Sequence, residues 1–207
     1  CRSYSKHDIV RNGEIKGHWF YDDCNGRIIA IDVRFELATE SGIKKTVQTF
    51  WYDGRRVCSY GKINIIYNLY EALNCTRPII IHEGAKCAKI GKSALTNFCN
   101  VSYNRGVENA DKPDWSVFDY DEECAKDRPV YILPDNDEVG LKAACKIKEK
   151  IHYAIIITGI YKHFGIAHIK GADIEDLLFS GADVGDVEDY ILNGEKNVIQ
   201  RKPSKIL

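Results

Sequence analysis

Two short apolar runs, each ending in acidic residues, constrain this chain more than any other feature. Ile79-Ile80-Ile81 runs into His82-Glu83-Gly84, and Val130-Tyr131-Ile132-Leu133 runs into Pro134-Asp135-Asn136-Asp137. A strand that is apolar on both faces is buried on both faces, as in a parallel sheet covered by helices. Helical spacing follows each run: residues 85–98 carry Ala88, Leu95 and Phe98 among their apolar positions, and a second helix is expected from Gly140 onward. Strand and helix in alternation predict an open, mostly parallel α/β sheet flanked by helices. In such sheets functional groups gather at the carboxyl ends of the strands, which is where Glu83, Asp135 and Asp137 fall.

The residues before Pro78 have a different rhythm. Residues 27–36 and 45–52 read as strands, with turn clusters at Asp22-Asp23-Cys24-Asn25-Gly26, at Thr39-Glu40-Ser41-Gly42 and at Asp53-Gly54. Asn-Gly and Asp-Gly between β-rich runs predict an antiparallel meander, and residues 68–73 read as a short helix closing it. The expected organisation is a small β-rich region over residues 1–75, a catalytic α/β domain over 76–182, and a C-terminal helix and tail over 183–207. Within the α/β part, residues 100–114 read as a polar loop, 166–169 as a strand, and 174–179 and 184–192 as helices. Residues 154–158 read either as a strand or as the continuation of a long helix.

The 207 residues suffice for one large domain or two small ones. No apolar run approaches the ~18 residues of a membrane span, and the first residues, Cys-Arg-Ser-Tyr-Ser-Lys, do not read as a signal peptide. A cytoplasmic protein of a bacterial or virus-infected cell is expected. The chain contains no methionine and is expected to be a piece of a longer protein. Net charge is −1 but uneven: residues 1–77 carry 12 Lys and Arg against 9 Asp and Glu, and residues 78–180 carry 13 against 16. A basic front beside an acidic middle suits a nucleic-acid surface next to a metal site. The eight cysteines form no Cys-x-x-Cys pair, so reduced, buried thiols are expected.

Carboxylates placed side by side repel one another, and burying them together is costly without a cation. Magnesium takes hard oxygen ligands and keeps several waters, so two or three carboxylates suffice and phosphate oxygens complete the shell. Such a metal can activate an attacking oxygen and stabilise a leaving one. Glu83 suits a second metal or acid–base work, and Gly84 at a helix start leaves room for a phosphate. The plainer alternative is that Asp135 caps a helix, with Asp137 and Glu138 complementing its first-turn dipole.

The segment from Ile79 to Ala88, Ile-Ile-Ile-His-Glu-Gly-Ala-Lys-Cys-Ala, resembles the glutamate motif that opens a Toprim domain. Val130 to Gly140, Val-Tyr-Ile-Leu-Pro-Asp-Asn-Asp-Glu-Val-Gly, resembles the Asp-x-Asp motif of that family, in the form found in primases and primase-helicases of phages and mobile elements. Residues 109–118 resemble the linker between those motifs, Lys170-Gly171-Ala172-Asp173 with Asp176 a later acidic element, and the strands around Arg34-Phe35-Glu36 the region before Toprim. The resemblance implies a Toprim-like sheet that binds Mg²⁺ (or Mn²⁺) through Asp135 and Asp137, with Glu83 as metal ligand or general acid/base. It makes Asp173 and Asp176 additional acidic candidates, with helix capping as their alternative role. It makes Gly84, Lys86 and Arg105 candidates for contact with nucleic acid or phosphate, against a plain solvated surface for the two cations. His82 would lie beside the site in a structural role.

The function implied is that of a DNA primase-type nucleotidyltransferase making primers in the replication of a phage or mobile element. Its partners would be a single-stranded DNA template, nucleotides and a replicative helicase, fused or separate. The chain departs from the full pattern: it has no Cys/His zinc knuckle, and Gly91-Lys92-Ser93 lacks the upstream glycine of a Walker A loop. Those departures fit a fragment or a minimal protein. Three other functions stay open: a Toprim nuclease, a binding module without catalysis, and an unrelated α/β protein whose acids only cap helices.

Overall fold

The structure, a computed structural model, describes residues 13–55, 57–60 and 63–194. The expected tail around Arg201-Lys202-Pro203 lies outside the described residues. Two sheets are present. The first is an antiparallel meander of β1 (Glu14–Asp22), β2 (Ile28–Thr39), β3 (Gly42–Tyr52) and β4 (Val57–Tyr60), in that spatial order. The turn from β1 to β2 is held by the Asp23 carboxylate, which accepts from the Asn25 and Arg27 amides at 2.9 and 3.0 Å. Register places Tyr21, Ala30 and Trp51 in one row, Trp19, Asp32 and Thr49 in the next, and Gly17, Arg34 and Val47 in a third. Because strand side chains alternate, these three rows share one face of the sheet.

The second sheet runs β5-β7-β6-β8-β9, with β5 (Ile66–Tyr67) antiparallel and β7 (Cys99–Tyr103), β6 (Ile79–His82), β8 (Val130–Leu133) and β9 (Ile155–Ile156) parallel. Among the described residues its helices are α1 (Leu69–Asn74), α2 (Ala85–Ala94), α3 (Glu122–Asp127), α4 (Glu138–Lys148), α5 (Ile160–His163), α6 (Ile174–Phe179) and α7 (Val184–Asn193). The apolar strands are covered on both sides, as their composition requires. Ile79, Ile81 and Ile132 pack with Ala143 and Ile147 of α4 on one side. Ile80, Tyr131 and Leu133 pack with Leu177 of α6 and Val187 of α7 on the other. The mixed α/β architecture expected from the sequence is therefore the one found: a mostly parallel sheet flanked by helices, preceded by an antiparallel one. No helix among the described residues is long and apolar enough to cross a membrane.

Several local expectations are corrected. Residues 99–103 are a fully buried strand, not the start of a polar loop, and α2 ends at Ala94 rather than at Phe98. Asn100 reads as a loop residue, yet inside β7 every polar atom of its side chain is used. Its Nδ2 donates to the Leu95 and Phe98 carbonyls at 3.1 and 3.3 Å, and its Oδ1 pairs with His82 Nε2 at 2.8 Å. Gly91 of α2 lies over this pair, and a Cβ there would come within 2.3 Å of Asn100 Oδ1 and 2.7 Å of His82 Nε2. Residues 166–169 form turns rather than a strand, while 155–156 settle as β9. The change of sheet falls between Tyr60 and Ile66, ahead of the boundary expected at 75/76, because β5 already pairs with β7. The C-terminal helix α7 belongs to the same core as α6. Cys75 and Cys99 are joined as a disulfide, against the expectation of free thiols, whereas Cys24, Cys87, Cys124 and Cys145 are free.

The two sheets meet through Asn104, just past β7. Its Nδ2 donates to Thr49 Oγ1 of β3 at 3.3 Å and to the Ile63 carbonyl at 2.7 Å, and its Oδ1 accepts from the Ile65 amide at 3.0 Å. Ala85, at the start of α2, packs with Tyr21 and Ala30 of the meander.

Candidate active site

β6 and β8 are parallel neighbours, with Ile79 opposite Val130 and His82 opposite Leu133. The residues that follow therefore leave the sheet side by side, placing Glu83 and Asp135 at one carboxyl edge. Asp137 is the N-cap of α4: its Oδ1 accepts from the Val139 and Gly140 amides at 2.9 and 2.8 Å. Asp173 caps α6 in the same way, accepting at Oδ1 from the Glu175 and Asp176 amides at 2.7 and 3.3 Å. Asp176 completes a capping box by accepting from the Asp173 amide at 3.0 Å. Capping thus engages one oxygen of Asp137, one of Asp173 and one of Asp176. Asp173 Oδ2 faces α2, 3.4 Å from Lys86 Nζ and 3.3 Å from Cys87 Sγ. Lys86 is also ion-paired with Glu175.

Asn136, between the two aspartates, brings this second acidic element to the first. Its Nδ2 donates to the Ala167 and Ile169 carbonyls at 3.0 and 2.8 Å. Its amide donates to the Ala172 carbonyl at 2.9 Å, and its own carbonyl accepts from the Gly171 amide at 3.1 Å. The 167–172 turn is thereby laced to the Asp135–Asp137 loop, and Asp173 follows directly from it.

The electrostatics are those of a cluster short of positive charge. Burial, then the charges of Asp137 and Asp173, push the Glu83 carboxyl up to about 7, against a lowering pull from the Asp135 amide. Burial, then Glu83, Asp173 and Asp137, push Asp135 up to about 8, with Lys86 opposing. Like charges in a shared low-dielectric site retain protons or take up a cation. Glu83 Oε2 is buried and has no hydrogen-bond partner. Gly140 of α4 leaves space for it, since a Cβ there would stand 3.0 Å from that oxygen and 2.8 Å from the Asp135 carbonyl oxygen. Among the described residues no set of three or more His, Cys, Asp or Glu side chains makes a ready cage for a metal. Magnesium needs none, because it is held by one or two carboxylates with water and substrate phosphates. The all-oxygen donor pair of Glu83 and Asp135, one oxygen of it unpartnered, fits that requirement. His82 is fully buried against Asn100, and burial lowers it to about 4, so it stays neutral and structural.

Of the clustered acids, Glu83 lines a cleft of about 480 Å³ between the sheets, together with Trp19 and Arg34 of the meander and with Lys86, Tyr103 and Arg105 among others. Gly84 also lines it, and a Cβ at that position would meet nothing within 4 Å. Arg105 sits at φ +65°, a left-handed conformation unfavourable for a residue with a Cβ, and its Nη1 donates to Asn64 Oδ1 at 3.1 Å. Arg34 pairs with Glu36 at 2.5 Å while its Nε is buried without a partner. Of the four described residues that carry a buried, unpartnered side-chain N or O atom, Arg34, Glu83 and Tyr103 line this cleft. A larger hollow of about 630 Å³ lies at the opposite sheet edge, between α3, β9 and α7, and none of the clustered carboxylates lines it.

Sequence reading brought Glu83, Gly84, Lys86, Arg105, Asp135, Asp137, Asp173 and Asp176 forward; Glu83, Gly84, Lys86 and Arg105 line the cleft, Asp135, Asp137 and Asp173 interact electrostatically with Glu83 or one another, and Asp176 closes the Asp173 capping box. That reading missed Tyr103, Trp19 and Asn136 as site residues. Trp19 and Arg34 carried a signal in the alternation of β1 and β2. Tyr103 carried none once β7 was read as a loop.

The architecture so described, acids at the carboxyl edge of a parallel sheet facing an antiparallel meander, is a primase-type fold. The bacteriophage T7 structure of the lagging-strand DNA polymerase interacting with primase domains of two gp4 subunits, bound to an RNA/DNA hybrid and dTTP, shares it at a TM-score of 0.54. That match has 15% identity over 85% of this chain and 76% of the other. The primase fragment of the bacteriophage T7 primase-helicase matches at a TM-score of 0.45, with 19% identity over 68% of this chain and 52% of that one. A DNA primase domain from Pseudomonas aeruginosa matches at 0.48, with 14% identity over 89% of this chain and 57% of that one. No protein-family model and no curated protein matches the sequence.

Proposed function

We propose that this chain is a Toprim-type primase domain, a nucleotidyltransferase that joins nucleotides on a single-stranded DNA template during replication of a phage or mobile element. The observation that carries the reading is the Glu83–Asp135 pair, raised to about 7 and about 8 where two parallel strands end, with Glu83 lining the inter-sheet cleft. Glu83 and Asp135 would hold Mg²⁺ or Mn²⁺, with the second oxygen of Asp137 as a further donor. The chemistry supplied by such a cation would be a lowered pKa for an attacking 3′-hydroxyl and screening of the phosphate charge, with a phosphodiester formed and pyrophosphate released. Arg34 and Arg105 approach the cleft from different sheets and supply donors for phosphate oxygens. Trp19 offers a ring on which a template base can stack. The T7 neighbour was solved with an RNA/DNA hybrid and dTTP, and a template-bound nucleotide is the ligand assigned to this cleft by analogy. A replicative helicase, fused or separate, is the proposed partner, in line with the primase-helicase to which one neighbour belongs.

The test is incubation with single-stranded DNA, labelled ribonucleotides and deoxyribonucleotides, and Mg²⁺ or Mn²⁺. Extended products, lost in Asp135→Asn, support the reading. A shortened template replaces it with a nuclease acting through the same acids. Unchanged metal affinity in both Asp135→Asn and Asp137→Asn removes the metal site altogether.

A further inference from the structure

Tyr103 carries an unpartnered hydroxyl beside the acidic edge, and nothing in the function above uses it. β7 lies parallel to β6 with Ser102 opposite His82, so Tyr103 stands at the height of Glu83 on the neighbouring strand. Its ring is 2% exposed and meets Trp115 edge-on, 6.3 Å between centroids, so the ring is clamped by the core. β5 pairs with it from the other side, Ile66 opposite Tyr103. The phenol oxygen and Glu83 Oε2 are both buried and both lack a partner. They are chemically complementary, since a phenol can donate and a carboxylate oxygen can accept.

Both residues also line a small hollow of about 10 Å³ behind the site, lined as well by Ile81, Ile132, Leu133, Ala144 and Ile147. A space of about 10–15 Å³ has room for a single water.

We propose that Tyr103 is a positioning residue for Glu83, its hydroxyl donating to Glu83 Oε2 across one water in that hollow, which fixes the carboxylate for the cation. The inference rests on the metal reading given above. Groups that hold the ligands of a metal from behind fix their orientation, and their loss typically weakens metal affinity by about 10–100-fold. The arrangement also accounts for a tyrosine at a strand end whose apolar neighbours would be served equally well by phenylalanine.

Mn²⁺ binding to the full chain, followed by electron paramagnetic resonance, tests it alongside the Mg²⁺ dependence of nucleotide joining. Tyr103→Phe should weaken Mn²⁺ binding about 10-fold and raise the Mg²⁺ needed for half-maximal activity in proportion, with the metal-free melting temperature unchanged. Tyr131→Phe, which removes a buried phenol from the other face of the sheet, should leave Mn²⁺ affinity as in the wild type. Wild-type affinity in Tyr103→Phe overturns the proposal while leaving the metal site standing. So does a matching loss in Tyr131→Phe, or a fall in the metal-free melting temperature of Tyr103→Phe, because either marks a structural effect. If the wild type fails to bind Mn²⁺, or Glu83→Gln binds it undiminished, the metal reading falls and takes this inference with it.

Discussion

Asp32 and Asp135 are both aspartates drawn out of water, but into opposite company. In the antiparallel sheet, Asp32 accepts from the Tyr21 hydroxyl at 2.7 Å and from Thr49 Oγ1 at 2.5 Å, one donor to each oxygen. Burial raises its pKa, and the Thr49 and Tyr21 hydrogen bonds pull it back. In the parallel sheet, Asp135 is raised by burial and then by three other carboxylates, with Lys86 alone opposing. A carboxylate supplied with neutral donors belongs to the fold, because its partners come from the chain itself. A carboxylate supplied with other carboxylates is completed only by something the chain does not provide. The difference separates the two acids where burial alone would not.

Exchanging that company should break the comparison most visibly at Asp135. Asp135→Asn is expected to lower nucleotide joining by about 10²–10³-fold, the usual loss when a preorganised electrostatic group is removed. Above pH 8, where Asp135 is ionised, the same variant should melt higher without metal, since a like charge has gone; single-nucleotide incorporation and calorimetry on one preparation check both. Gly140→Val is next, because any side chain there meets the Asp135 backbone and Glu83 Oε2 within 3.0 Å. Displacing the acids by a fraction of an ångström should cost up to about 10²-fold in rate, together with roughly 1–3 kcal/mol of stability from overpacking, read by kinetics and denaturant titration. Tyr21→Phe strips one donor from Asp32 and should cost about 1.5–3 kcal/mol in stability, with the catalytic rate per folded molecule unchanged.

The smallest effect concerns pH. The raised carboxyls keep protons in the folded state that the unfolded chain has already released, so their contribution to stability is present at low pH and lost as pH rises through about 7 and 8. His82 has the opposite sign: lowered from 6.5 to about 4, it contributes stability above 6.5 that is lost as pH falls through 4. Above pH 6.5 the carboxyls act without that opposition. The metal-free melting temperature should therefore fall between pH 6.5 and 8.5, and saturating Mg²⁺ should flatten the slope. A slope that persists in Asp135→Asn with Glu83→Gln would sink this account.

The parts of the molecule legible in the sequence are those where one physical rule acts alone. The wholly apolar Ile79-Ile80-Ile81 had to be buried on both faces, and the acids beyond it and beyond Leu133 had to fall at strand ends. β7 was illegible because its burial is conditional. Asn100 is tolerated inside only when His82, the Leu95 and Phe98 carbonyls and a glycine at 91 are in place, and those partners come from other segments. Asn136 was hidden for a similar reason, since its amide acts on carbonyls some 30 residues away. The sequence offered Asp135 as the helix cap, whereas the structure makes Asp137 the cap, and capping occupies only one of its oxygens.

The lacing of the acidic edge has a consequence for the order of folding. Glu83, Asp135 and Asp173 come from three separated segments, so a chain still leaving the ribosome carries Glu83 long before its repelling neighbours exist. The early strands can assemble in the absence of that repulsion, which arises only when β8 settles against β6 and the 167–172 turn is drawn in by Asn136. The mutual repulsion of these acids therefore enters late, after the strands that carry Glu83 are already in place.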